Sequence, residues 1–183
     1  LAASASTAFL GALSNSGSAA SPKHTFKLNY APHFNMFKNL GGKDPIDQLK
    51  FAADQGFTAW EDNQMKKKPI DLQKKIAATM EALKMKMGVF VAHGSIGRTT
   101  FVRKDNGVWE SVLQDIRDSI EVAKRVNAKW MTVVPGNVDE NGRDRLAMGY
   151  QTANVIELLR RCSDLLEPHG LVMVLEPLNW YAN

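Results

Sequence analysis

Residue 176 is a glutamate set where a carboxylate is costly. It closes the apolar run Leu171, Val172, Met173, Val174, Leu175, and Pro177, Leu178 and Asn179 follow it. A carboxylate at the end of a core strand needs a cation or strong donors to offset its lost hydration. It can bind a hard metal ion, take a proton from carbon, or pair with a nearby Lys or Arg. His93 stands directly after the apolar run 87–92, before Gly94 and Ser95. It could donate to a substrate oxygen, ligate a metal, or hold a loop. Glu61, before Asp62 and Asn63, closes the run 57–60, and His33 follows the run 26–30 within Pro32, His33, Phe34. Either could face a ligand or tie a loop by hydrogen bonds.

Five elements must position these groups. The runs 26–30, 57–60, 87–92, 130–134 and 171–175 are rich in Val, Phe, Trp and Met and are largely continuous. Continuous apolar runs suit strands buried on both faces, as in a parallel sheet. Between them lie segments of helical period. The first opens at Asp44-Pro45, a cap followed by proline at the first helical position, carries Ile46, Leu49, Ala52 and Ala53, and ends at Gly56. The second carries Leu72, Ile76, Met80, Leu83 and Met87; the third Val108, Val112, Ile116, Ile120 and Ala123. The fourth carries Val155, Leu158, Leu159, Cys162, Leu165 and Leu166 and ends at His169-Gly170. Each stripe gives its helix one face to bury. Strict alternation of strand and helix predicts an α/β fold with helices outside a parallel sheet.

The first strand-to-helix connection lacks the G-x-G-x-x-G fingerprint of a dinucleotide-binding sheet, and no P-loop is present. The remaining architecture is a (βα)₈ TIM barrel, truncated to about its first five βα units, since a whole barrel needs about 250 residues. Barrel active sites lie at the C-terminal strand ends, where His33, Glu61, His93 and Glu176 all fall.

Bulk properties remove other classes. The chain has 183 residues and a formal charge of +4, but its basic residues are scattered. Its densest run, Lys66, Lys67, Lys68, has no interleaved aromatics to stack bases and reads as a solvated helix start, so no nucleic-acid partner is expected. The single cysteine, Cys162, excludes an internal disulfide and falls on an apolar helix face. Residues 1–20 are small, apolar and uncharged and end in Gly17, Ser18, Ala19, Ala20. They read as a signal peptide incomplete at its N-terminus, predicting export to the periplasm by either the general or the twin-arginine route. The apolar stretch is too short and broken for a membrane span, and none is expected in the mature region, 21–183.

Three segments carry a family resemblance: Tyr30 to Phe37 (YAPHFNMF), Ala53 to Glu61 (ADQGFTAWE) and Val174 to Asn179 (VLEPLN). They resemble hydroxypyruvate isomerases and related xylose isomerase-like sugar phosphate isomerase/epimerase barrels, over nearly everything after residue 25. In that family the glutamate closing the fifth strand binds a divalent metal (Mg, Mn or Zn) beside the reacting carbons. The resemblance carries this metal and catalytic role to Glu176. It makes Asn179 an orienting or substrate-contact residue, Glu61 the strand-two glutamate and His93 the strand-three histidine, all three substrate-binding. The family's other ligands, an acid, a His or Gln and a second glutamate, belong to strands six to eight, beyond Asn183. One carboxylate cannot hold a hard cation, so the chain as it stands is expected to be inactive.

The implied reaction in a full-length parent is proton transfer between adjacent carbons of a sugar or other hydroxycarbonyl compound through an enediolate. A sugar 3-epimerase of the same fold and an exported, non-catalytic carbohydrate-binding barrel stay open as alternatives. A multi-zinc phosphodiesterase would need more clustered histidines than His33 and His93. An open sheet edge further predicts association into a homo-oligomer.

Overall fold

The computed structural model describes residues 24–140 and 144–178. The signal-peptide reading of residues 1–20 and the site role of Asn179 lie outside the described residues, as do Trp180 and Tyr181. Four helices, α1 (Pro45–Asp54), α2 (Ile70–Ala82), α3 (Asn106–Val126) and α4 (Met148–Leu166), alternate with strands β1 (Ala59–Trp60), β2 (Lys86–Met87), β3 (Val91–Gly94), β4 (Trp130–Val134) and β5 (Val172–Leu175). All pairings are parallel: β1 with β2, β3 with β4, and β4 with β5. Successive helices pack on one another along the outside.

Local chemistry sets the helix ends. The Asp44 carboxylate accepts from Ile46 N at 2.7 Å, and Pro45 occupies the first helical position. Asp105 caps α3 by accepting from Val108 N at 3.0 Å. Gly56, at φ +97°, ends the first helical unit as a left-handed turn residue, and its hydrogen lies against the His24 carbonyl. The helices bury the expected stripes, with Leu49, Ile76, Ile116, Leu158 and Cys162 fully covered. Val108, in the first turn of α3, lies off the buried face, and Trp109 and Leu113 fill it instead.

Two expected strands come out differently. Residues 26–30 form no strand: Tyr30 N bonds back to Leu28 O, and contact with the next run is made by Thr58 Oγ1 to Asn29 Oδ1 and by Glu61 N to Pro32 O. A strand needs a ladder of backbone bonds, and here only isolated bonds form. The third run divides. Lys86–Met87 pairs with β1, the chain then crosses, and Val91–Gly94 pairs with β4. Met87, expected on the second helix's stripe, is a strand residue, because α2 stops at Ala82 and Leu83 caps it.

The period of two divides the side chains of β4 and β5 between two faces. Met131 and Val133 of β4 are fully buried and Met173 of β5 packs beside them, so these face the helices. Trp130, Thr132 and Val134 therefore face the concave side, and register places Val172 and Val174 of β5 with them. Val172, Val174 and Leu175 of β5 are each more than 40% exposed.

Candidate active site at the C-terminal rim

Glu176 continues the β5 ladder by one step, donating its backbone N–H to Val133 O at 3.0 Å. The period of two gives it the same face as Val172 and Val174, the concave one. It lines a cavity of about 700 Å³ together with Asn63, Val91, His93, Asp115, Val134 and Leu178. The side chain is exposed to this space. A carboxylate so placed presents its oxygens to whatever occupies the mouth.

Glu61 reaches the same face from β1. Trp60 and Met87 are register partners and point into the helix-side core. The next step along each strand, Glu61 and Gly88, therefore points inward. A Cβ on Gly88 would lie 3.2 Å from Glu61 Cβ and from Trp60 O, so glycine makes the room for Glu61. Gly88→Ala is expected to push Glu61 aside and cost about 1–3 kcal/mol, read by urea denaturation; an unchanged midpoint would show that the strand can shift freely.

His33 joins Glu61. Its Nε2 lies 2.6 Å from Glu61 Oε1, and Glu61 N bonds to Pro32 O at 3.1 Å, so two adjacent strand ends are tied through both backbone and side chain. A carboxylate only accepts, so Nε2 carries the hydrogen and Nδ1 is left to act elsewhere. His33 remains 39% exposed.

His93 lines the same cavity as Glu176 and is at the same time tied to the helix layer. Its substrate-binding role, expected from its place after an apolar run, meets a register irregularity between Val91 and His93, where two residues of β3 oppose one step of β4. A bulge of this kind re-aims the side chains beyond it. Val91 pairs with Thr132 on the concave side, but His93 pairs with Val133 on the helix side. There Nδ1 lies 2.8 Å from Asp115 Oδ2 of α3, and Nε2 lies 2.6 Å from Ser95 Oγ. Both ring nitrogens are engaged and the residue is buried. His93 is thus an anchor between β3 and α3.

Lys66 completes that anchor. Its ammonium donates to Asp115 Oδ1 at 2.6 Å and to the carbonyls of Ala92 and Asp115, each at 3.1 Å. Lys68 pairs with buried Asp62 at 2.8 Å and lies over the Phe34 ring. The basic run 66–68, expected as a solvated helix start, instead folds two of its three cations inward onto carboxylates. Burial pushes the Asp115 carboxyl up, but hydrogen bonds and charge from Lys66 and His93 outweigh it and hold the group below its ordinary value. A carboxyl depressed in the folded state contributes stability above its unfolded value, near pH 4, that is lost as pH falls through the lower folded value. Urea melts from pH 7 down to pH 3 are expected to show a steeper acid loss for the native chain than for Asp115→Asn. Parallel curves would show that Asp115 titrates alike folded and unfolded.

The rim loop after β4 is fixed by Gly136 at φ +93°, where an added Cβ would come within 2.2 Å of Arg98 O. Asn137 N bonds to that same carbonyl at 2.8 Å, joining the loops that follow β3 and β4. Among the described residues no three His, Cys, Asp or Glu side chains converge as a metal-ligand group. No described helix is long and apolar enough to cross a membrane.

Parallel strands with an outer layer of helices, and Glu61 and Glu176 at C-terminal strand ends, are the parts of a (βα)-barrel. The chain belongs to the xylose isomerase-like TIM barrel family, whose model matches residues 49–183. Among curated proteins, none matches the sequence. The fold is similar to that of 3-keto-D-glucoside 4-epimerase, YcjR, from E. coli in its apo form, with TM-score 0.62 and 15% identity over 86% of this chain and 59% of that one. It is similar to the IOLI protein with a binding zinc atom, with TM-score 0.60 and 19% identity over 81% of this chain and 52% of that one. It is also similar to D-psicose 3-epimerase with D-tagatose from Clostridium cellulolyticum H10, with TM-score 0.59 and 12% identity over 76% and 49%. The chain thus spans about half the length of the solved structures it matches.

Proposed function

We propose that a complete barrel containing this chain is a metal-dependent isomerase of a sugar or other small hydroxycarbonyl compound, of the hydroxypyruvate isomerase kind. The observation that carries this reading is Glu176, held by the β5 ladder on the concave face and opening into the cavity beside Asn63 and Val134. A sugar 3-epimerase shares the chemistry, and the epimerases among structures of this fold favour it as the second reading. A non-catalytic sugar-binding barrel is the alternative that predicts no turnover.

Glu176 offers carboxylate oxygens, which suit a hard divalent cation. Glu176 would supply one ligand, and a bound cation would polarise the substrate carbonyl. The chain's own contribution is then positional and protonic. Glu176 faces the reacting carbons and moves the carbon-bound proton; Glu61 and His33 line the same rim; Asn179 would orient the substrate. By this reading the 183 residues alone do not turn over, since one carboxylate cannot complete a cation's coordination.

The test is proton NMR of hydroxypyruvate, D-fructose and D-psicose with the complete barrel, first stripped by chelator and then supplied with Mn²⁺. Interconversion that appears only with metal supports the reading. Tight sugar binding without interconversion or solvent exchange would instead favour the binder. The exported location rests on residues 1–20 alone, and a reporter fusion to that segment would test it. Exposed Val172, Val174 and Leu175 support the expected association, which light scattering of the 183-residue chain would detect.

A further inference from the structure

We infer that the N-terminal rim of the barrel carries a binding site for a compact oligophosphate, built by Arg125, Lys84, Lys86 and Lys129. The site lies at the opposite end of the strands from Glu176 and stands independently of the isomerase or epimerase reading, whose chemistry does not use it. It occupies a cavity of about 740 Å³, a size that suits a small-molecule ligand. Lys86 opens β2, and Lys129 and Trp130 lie at the start of β4, which places the cavity at the N-terminal strand ends. The basic residues are scattered along the chain, but the fold brings the stretches 84–86 and 124–129 together here. Five cations line the cavity, Lys84, Lys86, Lys124, Arg125 and Lys129, against one carboxylate, Glu81.

Charge alone would not make a site, since Lys124 and Arg125 end α3, where cations offset the helix dipole. Three features go further. Arg125 donates to Gln73 Oε1, and Gln73 is itself buried and locked by donating to the Lys68 carbonyl at 2.8 Å. The guanidinium is thus oriented by a neutral amide, which fixes its plane without giving it a direct carboxylate partner. Lys124 is answered by Glu121 at 2.8 Å, but among the described residues no carboxylate pairs with Lys84, Lys86 or Lys129. Lys86 and Lys129 also lie beyond the last turns of α2 and α3, where the helix dipole has fallen off. Finally, Lys84 takes the left-handed region at φ +56°, directly after the α2 cap Leu83. Glycine is the usual residue at such a helix end, so a lysine there comes at a conformational cost. Backbone strain of this kind collects at functional sites.

The chemistry of the lining selects the ligand. A guanidinium and several ammonium groups around one volume match an anion with several charges and many acceptor oxygens. Linked phosphate groups meet that description; a single carboxylate or a neutral sugar would leave most of the donors unanswered. The Lys129 ammonium lies over the Trp130 ring, 5.8 Å from its centroid, which holds it at the cavity wall. A compact ligand is favoured by the depth of the site. A membrane surface or long polymer would meet the outer lysines but would not reach Arg125, half-buried beside Gln73.

The test is calorimetric titration of tripolyphosphate into the complete barrel, stripped of metal so that phosphate cannot gather at a cation. Saturable binding that weakens with added salt is expected. Arg125→Gln, and Lys86→Gln combined with Lys129→Gln, are each expected to weaken it by about tenfold or more. Lys84→Gly is expected to weaken binding while raising the thermal midpoint, a pairing that a damaged fold cannot give. Lys67→Gln, at the cavity of Glu176, is expected to leave binding unchanged. Absence of saturable binding at low salt overturns the proposal, as does unchanged affinity in the Arg125 and double variants. Loss of binding in Lys67→Gln would overturn it by moving the anion to the opposite rim. Co-sedimentation with phosphatidylglycerol vesicles in the absence of tripolyphosphate binding would overturn the compact ligand in favour of a lipid surface.

Discussion

Glu176→Gln in the complete barrel lowers kcat by about 10²–10⁴-fold and weakens Mn²⁺ binding, while leaving the thermal midpoint nearly unchanged. The substitution keeps the shape of the side chain but removes the charge and the basicity. Stability should survive because Glu176 is exposed in the cavity and takes part in the fold through its backbone bond to Val133 O. The kinetic loss corresponds to about 3–5 kcal/mol of transition-state stabilisation. Steady-state kinetics beside a thermal melt separates the two effects. A variant with full activity would remove Glu176 from the mechanism.

Trp60→Ala is the substitution with the largest expected effect on folding. Trp60 is fully buried at the end of β1, against Phe34 at 4.9 Å and Phe37 at 6.3 Å between ring centroids, and it joins α1 to the sheet core. Truncating a large buried aromatic costs about 3–5 kcal/mol through lost contacts and the cavity left behind. For a chain of this size the thermal midpoint should fall by about 2–4 °C per kcal/mol. Trp60 also precedes Glu61, so its loss should loosen the rim that holds the pair with His33. A change of about 0.5 kcal/mol, typical of a surface site, would show that the aromatic cluster repacks around the gap.

Much of the fold is legible in the chain because its signals are local. Asp44-Pro45 is a cap written in two adjacent residues, Gly56 and Gly170 mark left-handed turns, and the apolar runs at 130–134 and 171–175 become strands at almost those bounds. Glu61 and Glu176 are legible as candidate site residues because each directly follows an apolar run, where a carboxylate would lose hydration if the strand were covered; among the described residues most of β5, and Glu176 with it, is exposed. The anchoring of His93, which lines the cavity with Glu176 while its ring is tied to α3, shows where such reading stops. Its role turns on one extra residue in β3, and the chain at Val91 and Ala92 carries neither Gly nor Pro to announce a bulge. Its partner Asp115 lies 22 positions away on α3 and nothing local connects the two. The same holds for Lys66 and Lys68, whose partners Asp115 and Asp62 are set by how the loop after β1 folds onto β3. The pairing of His33 with Glu61 is likewise a contact across two strand ends, 28 positions apart in the chain. Residues 26–30 fail as a strand for a related reason: apolar composition offers a strand, but only a backbone partner makes one.

For this chemistry to run, Glu176, Glu61 and His33 must share the concave C-terminal rim with a cation. Anomalous diffraction from a crystal of the complete barrel soaked in Mn²⁺ tests this most directly. The expected result is one strong peak within carboxylate ligation distance of Glu176, on the same rim as Glu61 and His33. No peak within ligation distance of Glu176, or Glu176 turned away from an occupied site elsewhere, would contradict it.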